Sequence, residues 1–129
     1  MNLSRLLTMH AIITFAAGSV LIFAPGFIPQ TIALRIEPDA FFLSYLLGAG
    51  EIAIAFLSFT ARNFKDLQAL RAVSWTLIVF HALSGAVELL ALARGVSSAI
   101  VINIVFRILA VALFGYYGVW KISDRSQRA

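Results

Sequence analysis

The stretch RAVSWTLIVFHALSGAVELLALAR, from Arg71 to Arg94, constrains the fold more than any other: it is long enough to cross a bilayer, yet it holds His81 and Glu88 inside its apolar run. A hydrocarbon core about 30 Å thick takes roughly 20 apolar residues of helix. An ionisable group within such a run is costly unless it faces protein or trapped water, so this helix needs neighbours. His81 and Glu88 stand seven residues apart, about two helical turns, and share one stripe with Ser74, Ser84 and Gly85. That stripe is the first candidate for a functional surface.

The rest of the chain supplies the neighbours. Of its 129 residues 61% are hydrophobic and 12% charged, and the mean hydropathy is +0.95, so a water-soluble domain of this size could not cover its apolar surface. Apolar runs over 4–24, 40–61, 70–93 and 99–120 leave little besides short connections. The expected fold is therefore all-α, a single integral-membrane four-helix bundle with antiparallel, up-down-up-down helices. A cleaved signal peptide is the rival reading of the first run. That run is too long for a typical apolar signal region, and FAPGF places proline where a small-residue cleavage site belongs.

Several function classes fall away. The chain has no cysteine, which removes thiol catalysis and thiolate metal or iron–sulfur sites, and two histidines are too few for a His-rich metal cage. No cofactor or metal is expected. No Walker loop, GxSxG elbow, HExxH motif or dinucleotide fingerprint occurs. The net charge of +4 does not point to nucleic acid, because the basic residues sit at the ends of apolar runs. Arg5, Arg62, Lys65, Arg71, Lys121, Arg125 and Arg128 fall on the side shared by both termini and the middle loop, against Arg35 and Arg94 on the other. That asymmetry predicts an inner-membrane protein with both termini cytoplasmic.

Along the chain, His10, Thr14, Ala17 and Leu21 share a face of the first helix, and Thr14 with Gly18 makes a small-xxx-small pair. His10 lies near the cytoplasmic end of that helix and is expected at the interface. Residues 25–39 are too polar and proline-broken to span, yet rich in Phe and Ile, and read either as an interfacial segment or as an ordered loop over the bundle mouth. Asp39 is expected to cap the second helix. On that helix Ser44, Gly48, Ala55 and Ser58 fall on the side of Glu51. In the fourth, Asn103 and Arg107 are one turn apart; Asn103 is expected to join helices by hydrogen bonding. Tyr116, Tyr117 and Trp120 form an interfacial aromatic belt anchored by Lys121, and the polar tail SDRSQRA is expected to fray.

Folding the third and fourth helices about Ser97 brings Glu88 and Arg107 to similar depth as an ion pair. Counting from the same surface puts Glu51 roughly 5 Å from the level of Arg107, within reach of a guanidinium whose fork donates bidentately to carboxylates. Two carboxylates and one arginine leave one surplus negative charge, so a carboxyl is protonated or a cation is held. Glu51, His81, Glu88, Arg107 and Asn103 are thus the candidates for ligand binding or proton handling. The plain alternative is that they join helices and fix register.

At GAGEIAIAFLSFTARN, with Glu51 following glycines and Arg62 at the helix exit, the chain resembles the DoxX-like families of small bacterial four-helix inner-membrane proteins. The resemblance covers the second helix best and extends to helix order and size. It implies that Glu51 is a polar group of the bundle interior and that Arg62 marks the cytoplasmic exit. The link of some members to quinone-dependent sulfur oxidation or redox-stress complexes does not transfer, since no cysteine or redox-ligand set is present.

Two functions compete. One is a non-catalytic subunit or partner in a membrane complex, or a homo-oligomer, whose solvent is the lipid bilayer. The other is a binder or carrier of a small apolar molecule, a quinone or lipid, in a pocket lined by Glu51, His81, Glu88 and Arg107. An intramembrane isomerase using His81 and a carboxylate as acid and base is a weaker third version. Whether those four side chains face an open cavity or close on one another discriminates between them.

Overall fold

Each long apolar run becomes a helix. The computed structural model describes residues 2–122; the tail at 123–129 lies outside them. Helix α1 spans Leu3–Phe23, α2 is a single short segment at Phe27–Thr31, α3 spans Phe41–Ala61, α4 Leu67–Ala93 and α5 Val101–Phe114. Helix α5 then widens into a π-helical turn at Gly115–Trp120. With their flanking turns, four of these elements are long and apolar enough to cross a membrane. The described residues form an all-α bundle, as the composition predicts.

Local chemistry sets the helix ends. The Asn2 side chain accepts from the Arg5 amide at 2.9 Å and starts α1. Asp66 does the same for Gln68 at 2.8 Å, so α4 begins at Leu67 rather than at 70. At the far end of α4, Gly95 adopts φ +96°, the Val96 amide reaches the Ala91 carbonyl, and the Gly95 amide reaches Leu92. This is the paired hydrogen bonding of a Schellman stop, which favours glycine at the left-handed position. The expected cap at Asp39 is not made. Pro38, Asp39 and Ala40 form a 3₁₀ turn of their own, and α3 follows from Ala40 without a side-chain cap. Residues 25–39 hold the short α2 with Phe27 and Leu34 exposed.

The helices approach in two pairs. Helices α1 and α3 are closely apposed, as are α4 and α5, whereas the pairs stand farther from each other. Within the first pair, the Ser44 hydroxyl donates to the Pro25 carbonyl, Gly18 faces Gly48, and His10 meets Ser58, so α1 and α3 run in opposite directions. Likewise Glu88 and Gly85 meet Arg107, His81 meets Phe114, and Ser74 meets Gly118, which makes α4 and α5 antiparallel. The small residues noted in the sequence make these approaches: Ser44, Gly48, Glu51, Ala55 and Ser58 are all buried on one side of α3. An apolar cluster of Leu6, Leu7, Ala61, Val73, Leu77 and Phe114 fills the bundle on the side of the termini.

At the first pair's crossing the fit admits nothing larger than glycine. A Cβ on Gly18 would lie 2.8 Å from the Gly48 carbonyl oxygen, and a Cβ on Gly48 would lie 2.8 Å from that of Gly18. Two backbones are in contact, so neither can yield by a rotamer change. Gly50, two residues on, has open space around it. Gly48→Ala should therefore cost about 1 to 3 kcal/mol by overpacking, while Gly50→Ala should be close to neutral. Unfolding in mixed detergent micelles measures both, and equal losses would show that the crossing does not depend on this contact.

Candidate functional site

Four helices contribute to one chain of polar contacts. Arg107, on α5, is central. Its Nη2 lies 3.5 Å from Glu51 Oε1 on α3 and its Nε 3.6 Å from Glu88 Oε1 on α4. Its Nη1 donates to His81 Nδ1 on α4 at 3.2 Å. His81 Nε2 is 2.9 Å from His10 Nε2 on α1, and His10 Nδ1 is 2.9 Å from Ser58 Oγ on α3. Ser58 in turn donates to the Ile54 carbonyl at 3.0 Å. Glu51, His81 and Ser58 are buried, and the two imidazoles pack against Phe114.

Elementary donor rules give this chain a direction. A guanidinium has donors only, so His81 Nδ1 must accept, and a neutral His81 then carries its proton on Nε2. That proton points at His10 Nε2, which must therefore accept as well. His10 is left with its proton on Nδ1, donating to Ser58 Oγ, whose own proton goes to Ile54. The Thr14 hydroxyl, 3.4 Å from His10 Nε2, is a weaker second donor to the same lone pair. Every link from Arg107 to Ile54 thus runs the same way.

The sequence-derived set meets the structure unevenly. Glu51, His81, Glu88 and Arg107 come together, and Arg107 does serve both carboxylates. The expected bidentate fork does not form. Each carboxylate meets one guanidinium nitrogen at ion-pair distance, longer than the 2.7–2.9 Å of a tight charge-assisted hydrogen bond, because the third nitrogen is turned to His81. Asn103 does not join helices: it is half-buried and makes no side-chain hydrogen bond to a described residue. His10, expected at the interface, is buried in the middle of the polar series, between Ser58 and His81. The signal for it was its place on the face of Thr14 and Gly18, the one expected to meet another helix. Ser58, on the side of Glu51, completes the set.

A metal does not fit between the imidazoles. The two Nε2 atoms face each other, but coordination would need both unprotonated, and a neutral His81 would then carry its proton on Nδ1, against the Arg107 donor. Among the described residues no group of three or more His, Cys, Asp or Glu could hold a metal ion. The four polar residues close on one another. A cleft of about 80 Å³ lies instead near the termini between Leu3, Leu67, Leu70 and Tyr117, well short of the roughly 300 Å³ that a small-molecule site usually needs. A wider, open hollow at Gln30, Arg35, Ile36 and Glu37 belongs to the connection after α2. One buried atom in the group has no partner, Glu88 Oε2.

Comparison with known proteins finds no family model, no curated protein and no solved structure that matches this chain.

Because Arg107 has three partners, its loss should exceed that of any one of them. Arg107→Met leaves Glu51 and Glu88 buried without a counter-charge, a change that commonly costs about 3 to 5 kcal/mol. Glu88→Gln keeps an acceptor for Nε and leaves Glu51 in place, so it should cost about 1 kcal/mol, typical of an interhelical polar contact. Adding Glu88→Gln to Arg107→Met should recover part of the loss. Detergent unfolding of the three variants measures this, and a double variant no more stable than Arg107→Met would refute the coupling.

Proposed function

We propose that this chain is a small polytopic inner-membrane protein, with both termini cytoplasmic, that acts as a non-catalytic subunit or partner within a membrane complex. The observation that carries this reading is the closure of Glu51, His81, Glu88 and Arg107 on one another. Groups that must bind a substrate or exchange with one need space beside them, and here all but one of their buried polar atoms, Glu88 Oε2, are engaged with neighbouring groups of the bundle. The four helices leave few residues outside their apolar runs, so the surface available to a partner is the lipid-facing one. The resemblance to DoxX-like proteins agrees with this reading in helix number, size and the position of Glu51.

A second reading rests on one atom. Glu88 Oε2 is buried without a partner, and an apolar molecule with a single hydroxyl donor, such as a quinol or a lipid alcohol, would satisfy it. On this reading the protein binds or carries a quinone or lipid at the Glu88 end of the polar chain.

Purification in mild detergent followed by protein and lipid mass spectrometry separates the two. Stoichiometric recovery of one membrane protein, unchanged in Glu88→Gln, supports the subunit reading. Recovery of one quinone or lipid species, lost in Glu88→Gln, replaces it with the second. Orientation is tested separately: an enzyme active only in the periplasm, fused after Ala129, should be silent, and strong activity would reject cytoplasmic termini.

A further inference from the structure

We infer that the contact between His10 and His81 is a proton-sensitive latch joining the α1–α3 pair to the α4–α5 pair, closed while both imidazoles are neutral and opened when His10 takes up a proton. The position of the contact is the first ground. Within each pair, backbones approach through glycine and serine: Gly18 against Gly48, and Gly118 against Ser74. Between the pairs the helices are farther apart, and the polar links are the long side chains of His10, His81, Glu51 and Arg107. Breaking the imidazole link therefore removes one of the two polar links between the pairs, leaving the Glu51–Arg107 ion pair and the apolar cluster, and does not touch the glycine contacts within either pair.

The second ground is the fixed direction of the hydrogen bonds. On His81 the one nitrogen free to take a proton is Nδ1, and it faces the Arg107 Nη1 donor at 3.2 Å. On His10 it is Nε2, which already accepts from His81 at 2.9 Å. A proton on His10 Nε2 sets N–H against N–H across the contact itself, while one on His81 Nδ1 sets N–H against Arg107 and leaves the contact made; in neither case does rotation of the ring restore the whole chain, because an imidazolium has two donors and no acceptor. The charged and titratable groups facing the pair are Arg107 from α5, Glu51 from α3 and Glu88 from α4. Helix α1 contributes none besides His10, and Thr14, Ser58 and Phe114 are uncharged. An imidazole released to water titrates near pH 6.5, so acid traps the open form.

The natural absence of cysteine makes the test direct. Spin labels on cysteines replacing Ile13 of α1 and Val79 of α4, both exposed, report the distance between pairs in lipid nanodiscs. At pH 8 one narrow distance is expected; at pH 5 it should lengthen and broaden, reversibly. In His10→Gln with His81→Gln the same change of pH should leave it unmoved. No change in the unsubstituted core, or a change that persists without the histidines and so belongs to Glu51 and Glu88, would overturn the latch. Should the double variant not fold, ¹⁵N-histidine spectra of the natural core decide. The latch requires His81 protonated on Nε2 alone and His10 on Nδ1 alone at pH 8, with a doubly protonated ring appearing as the distance changes. Any other pattern refutes it.

Discussion

A single guanidinium, that of Arg107, determines how the interior of this bundle is arranged. It offers three nitrogens to three groups, Glu51, Glu88 and His81, and its Cζ lies 5.5 Å from the centre of the Phe80 ring. Lysine could not replace it, since one ammonium on a flexible stem cannot face two helices and an imidazole at fixed angles. The directing effect extends beyond its own contacts. By occupying His81 Nδ1 with a donor, Arg107 sets the proton on His81, then the one on His10, and so the hydrogen bond to Ser58 on a helix that Arg107 reaches otherwise only through Glu51.

This arrangement suits helices whose outer surfaces are apolar. In a bilayer, lipid tails are as apolar as leucine, so burying leucine between helices gains little, and association depends on close packing and on polar links. The molecule divides those two means between two kinds of interface. Glycine and serine bring α1 onto α3 and the π-helical turn onto α4, where a Cβ on Gly118 would collide with Ser74 Oγ. The widened turn carries the Gly118 backbone onto that serine, a position only glycine can take. Between the pairs, where backbones do not touch, side chains with hydrogen-bonding ends span the gap, and the cluster around Leu7, Leu77 and Phe114 fills the remaining space.

The parts of this that were legible in the sequence are those set by depth and helical period. Runs of apolar residues locate the long helices, and counting from a shared turn brings Glu88, Glu51 and Arg107 to one level. Period alone puts Ser44, Gly48, Ala55 and Ser58 with Glu51. What it cannot supply is how a side chain divides its donors. The arginine expected to serve both carboxylates through its fork is spread over three partners because His81 sits within reach, a fact of tertiary geometry. Distance from the chain start does not decide the surroundings of His10; the face it shares with Thr14 and Gly18 does, and that face packs on α3. Asn103 has the right period to face inward, but it lies one turn nearer the Ser98–Ile100 turn than Arg107, and no partner reaches it there. Asp39 fails as a cap because Pro38 opens a separate 3₁₀ turn before α3.

The same geometry bears on whether the polar chain could conduct protons from one face to the other. A relay needs each member to receive a proton on one side, release one on the other, and then return to its starting orientation. Here Ser58 is fully buried and its hydroxyl is bonded to the Ile54 carbonyl of its own helix, an acceptor that passes nothing onward. Beyond it, toward the termini, lie Leu6, Leu7, Ala61, Leu77 and Phe114, none with a polar side chain. Ser74, the other fully buried hydroxyl, is likewise bonded within its own helix, to Leu70. At the opposite end, Arg107 cannot accept a proton to reset the chain. A one-way series of hydrogen bonds that starts at a permanent donor and stops at a backbone carbonyl can be closed or broken, and its bonds link α5, α4, α1 and α3.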